Sequence, residues 1–236
     1  LLVSSAASDV YKRQAISTGT ATPTIEGAGV HLHRAFGFQD PKAHDPFLLF
    51  DDFRNDNPEA YYRGFPWHPH RGIETITYVL NGTVDHSDSL GNTGSLKAGD
   101  VQWMTAGSGI MHQEMPSGNS MGQMHGFQLW ANLPGSLKMT SPRYQDVGAK
   151  EIPEIIDDDG TRVRVITGSF WGQTGPVDGI AAEPLYLDIS LPAGLRKALK
   201  VDTYRNTFAY IFEGSGKFAD ASDCLLYTSP SPRDQS

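Results

Sequence analysis

Residues 68–82 read His-Pro-His-Arg-Gly-Ile-Glu-Thr-Ile-Thr-Tyr-Val-Leu-Asn-Gly. Thr75 to Leu80 is a β-branched and aromatic run. It stops at Asn81-Gly82, a strong hairpin signal because both residues tolerate positive φ. The run is expected to be a strand, with Thr83 to Ser87 returning as its partner. Just upstream, His68 and His70 stand two apart, and alternate residues of a strand share a face. His112-Gln113-Glu114 repeats that ligand-x-ligand spacing behind the turn Gly107-Ser108-Gly109. Brought together across a small barrel, three imidazoles and one carboxylate would make a mononuclear site for a borderline first-row metal. The absence of thiolate argues against structural zinc.

Outward from this stretch the pattern continues. Asp100 to Thr105, Gly109 to Met115, Met124 to Asn132, Thr161 to Thr167, Leu185 to Leu191 and Thr207 to Phe212 read as strands between Gly- and Ser-containing turns. Sustained helical periodicity is weak, so the expected class is all-β, a sandwich or barrel. Ile76 to Gly82 also has an echo in Phe208 to Gly214. At the same offset His68 falls on Lys200, His70 on Asp202 and Glu74 on Asn206, so the second half repeats the scaffold without the imidazoles. The acidic, turn-prone stretch around Glu154 to Gly160 is the expected join.

The ends read differently. Ser4 to Gln14 and Cys224 to Asp234 back-translate to strings that contain reverse complements of each other, AGATGTGTATAAGAGACA and TGTCTCTTATACACATCT, and both resemble transposon adaptors. Residues 1–14 and 224–236 are therefore set aside as artefact, which leaves 15–150 as an N-terminal domain and 151–223 as an incomplete C-terminal one. On this reading the chain is shortened at both ends. Its second sheet would expose an unpaired edge and lower the solubility. Cys224, the sole cysteine, then supports no disulfide or thiol chemistry. Setting Lys12, Arg13 and Arg233 against Asp9 and Asp234 makes the interior one unit more acidic than the net −8 of the whole chain. That balance argues against a broad grip on nucleic acid, though not against a protein partner. No apolar run is long enough to span a bilayer, and a cytoplasmic protein is expected, or a nuclear one in a eukaryote.

Other side chains compete for a role. His31, His33, His44, His86 and His125 lie outside the two clusters and are expected to be surface or hydrogen-bonded core histidines, with His125 the one that could edge a cavity. Trp67, Trp103, Met104, Phe127, Gln128 and Trp130 read as barrel core rather than substrate lining. Asp85, His86 and Asp88 have no accompanying nucleophile and fit a solvated hairpin strand. Gly91 to Gly99 fits no phosphate loop.

The long run GFPWHPHRGIETITYVLNGTVDHSDSLGNTGSLKAGDVQWMTAGSGIMHQEMP closely resembles the first barrel of pirin-family proteins. EGAGVHLHRAFG and DPFLLFDDF resemble that family's opening segment, FQLWANLP resembles its next strand, and the likeness covers about residues 25–216. It implies a bicupin: two jelly-roll β-barrels, a metal in the first and none in the second, the second incomplete here. It makes His68, His70, His112 and Glu114 the metal ligands, with Fe(II) expected and Mn, Ni, Cu or Co as alternatives. Glu74 occupies a ligand position of the general cupin pattern, but with Glu114 present it is assigned to the surroundings of the metal. The implied activity is a quercetin 2,3-dioxygenase-type oxidoreductase acting on flavonol-like aromatic substrates, with Glu114 also serving catalytically as proton acceptor. The alternative implied by the same resemblance is a redox-sensing iron protein that acts as a transcriptional co-regulator through a protein partner.

Overall fold

The computed structural model describes residues 15, 17–39, 41–202 and 204–218, with the backbone of Leu225–Tyr227. Residues 1–14 and Cys224, set aside above, lie outside the described residues. The fold is all-β, as expected. Among the described residues, eleven strands precede residue 150: β1 (Thr22–Glu26), β2 (Val30–Phe36), β3 (Phe47–Asp52), β4 (Phe65–His70), β5 (Ile73–Asn81), β6 (Thr83–Asp88), β7 (Thr93–Lys97), β8 (Val101–Thr105), β9 (Ile110–Ser117), β10 (His125–Asn132) and β11 (Arg143–Val147). They form a seven-stranded sheet in the order β1-β2-β3-β10-β5-β8-β11 and a four-stranded sheet in the order β4-β9-β6-β7. Each order is linear, so the sheets stay open at their sides rather than closing into one barrel.

Asn81-Gly82 does not make the expected hairpin. Gly82 has φ +82°, and a Cβ there would sit 2.5 Å from the Ser117 carbonyl. The turn is thus held against β9, where Thr83 pairs with Ser117. It passes the chain from the large sheet to the small one, and Thr83 to Asp88 finds its partners in β9 and β7 instead. A turn signal specifies backbone torsions; which strand follows in register is settled by packing.

Between the sheets Val30, Leu32, Phe53, Tyr61, Val79, Val84, Leu96 and Met124 form one apolar cluster, with Phe65 packed on it. Each fully buried side chain of this kind contributes about 2 kcal/mol relative to exposure, so the cluster fixes how the two sheets face each other. On the far side of β5, Tyr78 accepts a hydrogen bond from Arg164 Nη1 at 2.6 Å.

The chain separates into a larger unit, Ala21–Ile155 with Arg164–Leu187, and a smaller one that includes Ile156–Val163 and residues from Asp188 onward. In the smaller unit Lys197 is clamped between the carboxylates of Asp157 and Asp159. Strands occur at Arg162–Thr167 and Tyr186–Ser190, where expected, but Thr207 to Phe212 is irregular. β-Propensity expresses fit to a pleated, half-buried surface, and no strand among the described residues forms a ladder there. The echo of Ile76 to Gly82 therefore does not extend to secondary structure. A short hairpin pairs Ser215–Lys217 with Leu225–Tyr227. Among the described residues, no helix is long and apolar enough to cross a membrane.

Candidate metal centre

β4 and β9 are hydrogen-bonded antiparallel neighbours, and His68 pairs directly with His112. The two clusters therefore meet side by side in one sheet, not across a barrel as the spacing had suggested. Cross-strand pairs bring Cβ atoms within about 5 Å, so two rings reach one point without bridging the interior. Strand alternation adds His70 and Glu114 to the same inward face: along β9 residues 110, 112 and 114 are buried.

The three imidazoles converge. Ring centroids lie 4.4 Å apart for His68 and His112, 4.8 Å for His68 and His70, and 4.9 Å for His70 and His112. One ligand nitrogen from each lies within 4.8 Å of the others. His68 Nδ1 lies 2.9 Å from the Pro66 carbonyl, which only accepts, so the proton sits on Nδ1 and Nε2 presents a lone pair. That nitrogen stands 3.1 Å from His70 Nε2. Two nitrogens bound at about 2.1 Å and at right angles around one cation would be roughly 3.0 Å apart. His112 has both ring nitrogens buried with no hydrogen-bond partner. A buried imidazole left in that condition is costly, and a cation held by the three rings would relieve it. The donor set fits a first-row divalent metal.

Burial is the main reason His70 and His112 are weak bases. The pKa of His70 is pushed down to about 4, with help from His112 and His68. That of His112 falls to about 3, with help from His68 and His86. Both rings are neutral at physiological pH, the state in which imidazole ligates.

Glu114 lies on the same face but is not brought into the imidazole cluster. Its Oε1 is 2.9 Å from Thr77 Oγ1, which is also 2.8 Å from the Gln128 side-chain amide. A hydroxyl carries one proton. The charged carboxylate is the stronger acceptor, and turning the Gln128 amide over lets its nitrogen donate to Thr77 in return.

Glu74 falls on the opposite face of β5. Its register partner is Thr105, whose hydroxyl donates to Glu74 Oε1 at 2.7 Å, while Thr77, three residues on, faces the histidines. The assignment of Glu74 to the surroundings of the metal is therefore corrected. The physical reason is the period of two, which places residues an odd number apart on different faces. Burial raises the pKa of this carboxyl.

His86 and Asp88 are buried, not solvated as expected; only Asp85 points out. The inner face of β6 is turned toward the larger sheet, from which Gln102 on β8 reaches to within 2.8 Å of His86 Nε2. Neither joins the imidazole cluster. His125 is not among the residues that line the cavity at the histidines; it packs edge-on against Phe127, 3.6 Å from Asp52.

A cavity of about 450 Å³ opens onto His68, His70 and Glu114. Its walls are mostly apolar, with Leu32, Leu49, Phe53, Phe65 and Val84 among them. Trp130 stands edge-on to His70 at 4.9 Å, and Phe38 is tilted against Trp130. Gln128 and Trp130 thus line the cavity, whereas Trp103, Met104 and Phe127 are packed core and Trp67 is exposed. Sequence reasoning missed Thr77 and the pair Arg34–Asp51, which also line it. Their signal would have been a polar residue on the cavity parity of a β-branched or aromatic strand.

Two antiparallel sheets around converging imidazoles, open to an apolar cavity, define a cupin-type fold with a candidate metal centre. Comparison with known proteins narrows the class. The family model described as Pirin matches residues 29–131. A pirin-like protein of Caulobacter vibrioides is 45% identical over 205 residues, 86% of this chain and 74% of its own length. Human pirin is 42% identical over 190 residues, 80% of this chain and 63% of its own length. The crystal structure of a quercetin 2,3-dioxygenase from Acinetobacter baumannii superposes with a TM-score of 0.60 at 37% identity, covering 67% of this chain and 58% of that one. The chain spans less than two thirds of that solved structure and of human pirin. It belongs to the pirin family.

Proposed function

We propose that the chain is the metal-dependent part of a dioxygenase that opens flavonol-like rings, with His68, His70, His112 and Glu114 as ligands and iron as the metal. The observation that supports this most is the convergence of three imidazoles, two of which, His68 and His70, open onto a mostly apolar cavity. When bound, a divalent first-row metal supplies a Lewis-acidic anchor for a substrate oxygen and a means of coupling the substrate to dioxygen. His68, His70 and His112 would hold it, and burial keeps His70 and His112 neutral for the purpose. Glu114, kept in place by Thr77, accepts the proton of the substrate's enolic hydroxyl at a carboxylate oxygen. Trp130, Phe65 and Phe53 exclude water from the ring being cleaved. In the overall reaction both oxygen atoms of dioxygen enter the ring-opened ester, and the ring carbon between the two cleaved bonds leaves as carbon monoxide.

The remainder of the reading is that only the N-terminal barrel of a bicupin carries the metal. The test is purified protein loaded in turn with Fe(II), Mn(II), Co(II), Ni(II) and Cu(II) and supplied with quercetin. Oxygen uptake matched by carbon monoxide release is expected with at least one metal. Stoichiometric metal binding with no oxygen uptake under any of them would overturn the enzyme reading.

A further inference from the structure

A row of polar side chains crosses the inner face of the seven-stranded sheet. By register Arg34 pairs with Asp51, Asp51 with Gln128, Gln128 with Thr77, Thr77 with Gln102, and Gln102 with Asp146. Directly paired residues project to the same face, so these polar groups form a transverse ladder across that face of the sheet. The proposed metal centre uses the middle of the ladder, Thr77 and Gln128. It leaves the outer end unused.

At that end Arg34 donates from Nε and Nη2 to the two oxygens of Asp51, each at 2.8 Å, and its Nη1 lies 2.9 Å from Glu26. All three residues line the cavity. One cation faces two carboxylates there, so the wall is net acidic and the guanidinium is already matched. Asp51 is buried, and Arg34 takes two of the roughly four lone-pair sites that a carboxylate offers. What remains at this end is acceptor capacity. A buried ion pair in an apolar wall is weak evidence of stabilisation in itself, which makes a recognition role the more informative reading. Asp51 and Thr77 are two strand spacings apart, roughly 10 Å. A ligand touching both must be long and flat.

We propose that the Asp51 carboxylate, held by Arg34, is a second recognition point in the cavity. It accepts hydrogen bonds from hydroxyls at the far end of an uncharged aromatic ligand whose near end lies at the histidines, and it rejects ligands that are anionic at that end. This deepens the flavonol reading and rests on it.

The test measures binding, not turnover. Metal-loaded protein is titrated by calorimetry with galangin, kaempferol and quercetin, which share the enolic end and carry none, one and two hydroxyls on the distal ring. A flavonol with a distal carboxylate completes the series. Affinity is expected to rise at least tenfold from galangin to quercetin and to fall at least tenfold for the carboxylate. The double variant Arg34→Met/Asp51→Leu removes both charges together, so neither is left buried alone. It is expected to bind galangin within twofold of the parent while the preference for quercetin collapses to twofold or less. Equal affinity across the series in the parent protein, which needs no variant to fold, overturns the proposal. So does a preference that survives in the double variant. If the parent binds metal but none of the flavonols, the underlying substrate reading has failed and takes this inference with it.

Discussion

Glu74 and Glu114 make an instructive pair. Both are buried, and each accepts a hydrogen bond from a threonine, Thr105 for Glu74 and Thr77 for Glu114. Yet Glu114 shares a cavity with His68 and His70, and Glu74 lies on the other face of the seven-stranded sheet. Residue type and burial do not separate them. Face does, and face follows from counting in twos along β5 and β9.

Four experiments bear on this contrast. The largest effect is expected on the cavity side, from His112→Ala. Removing the ring whose two nitrogens have no protein partner should weaken metal binding by at least about 100-fold, beyond the 10- to 100-fold typical of groups that merely support a ligand. Equilibrium dialysis against Fe(II) or Co(II) reads this directly, and near-normal affinity would refute the site. Glu114→Gln is next. A loss of about 10- to 100-fold in metal affinity is expected if the carboxylate ligates when metal is present, whereas an unchanged affinity would reduce it to a cavity wall.

The third experiment is a pH series on metal-free protein. The folded-state pKa values of His70 and His112, about 4 and about 3, lie below the ordinary histidine value of 6.5. The unfolded chain therefore binds more protons than the folded one below pH 6.5. Their contribution to stability is present above about pH 6.5 and is lost as the pH falls toward 4 and then 3. The melting temperature should decline through that window, and less steeply in His112→Ala. A flat profile would contradict the burial of these rings.

The smallest effect belongs to the other face. Burial raises the Glu74 pKa above 4.5, so the folded state holds the proton more tightly and stability falls as the pH rises through that raised value. At neutral pH Glu74→Gln should leave metal affinity within twofold and raise the melting temperature by a few degrees. A large loss of metal would erase the distinction between the two glutamates.

Much of this was legible in the chain. The strands of the first half, the inward pairing of His68 with His70 and of His112 with Glu114, and the open first-row donor set all follow from a period of two. Other features were not legible, for reasons that can be named. Asn81-Gly82 announces a turn, but it leads from one sheet to the other, because Ser117 on β9 is the partner that packing supplies to Thr83. His86 and Asp88 look like residues of a wet hairpin until Gln102 is found across the interior. Arg34 and Asp51 lie on separate strands, and nothing local reveals that they are register neighbours lining a cavity. Thr207 to Phe212 has the composition of a strand, but no strand is formed there among the described residues.

Local order along the polypeptide was enough to say which side chains could bind a cation and that each cluster would present two of them to one side, because alternation is a property of any extended backbone. It could not say which strands would lie next to which. Register and sheet partnership arise from contacts distant in sequence. Those contacts set His68 beside His112, turned Glu74 away, and laid the polar row from Arg34 to Asp146 across the floor of the sandwich.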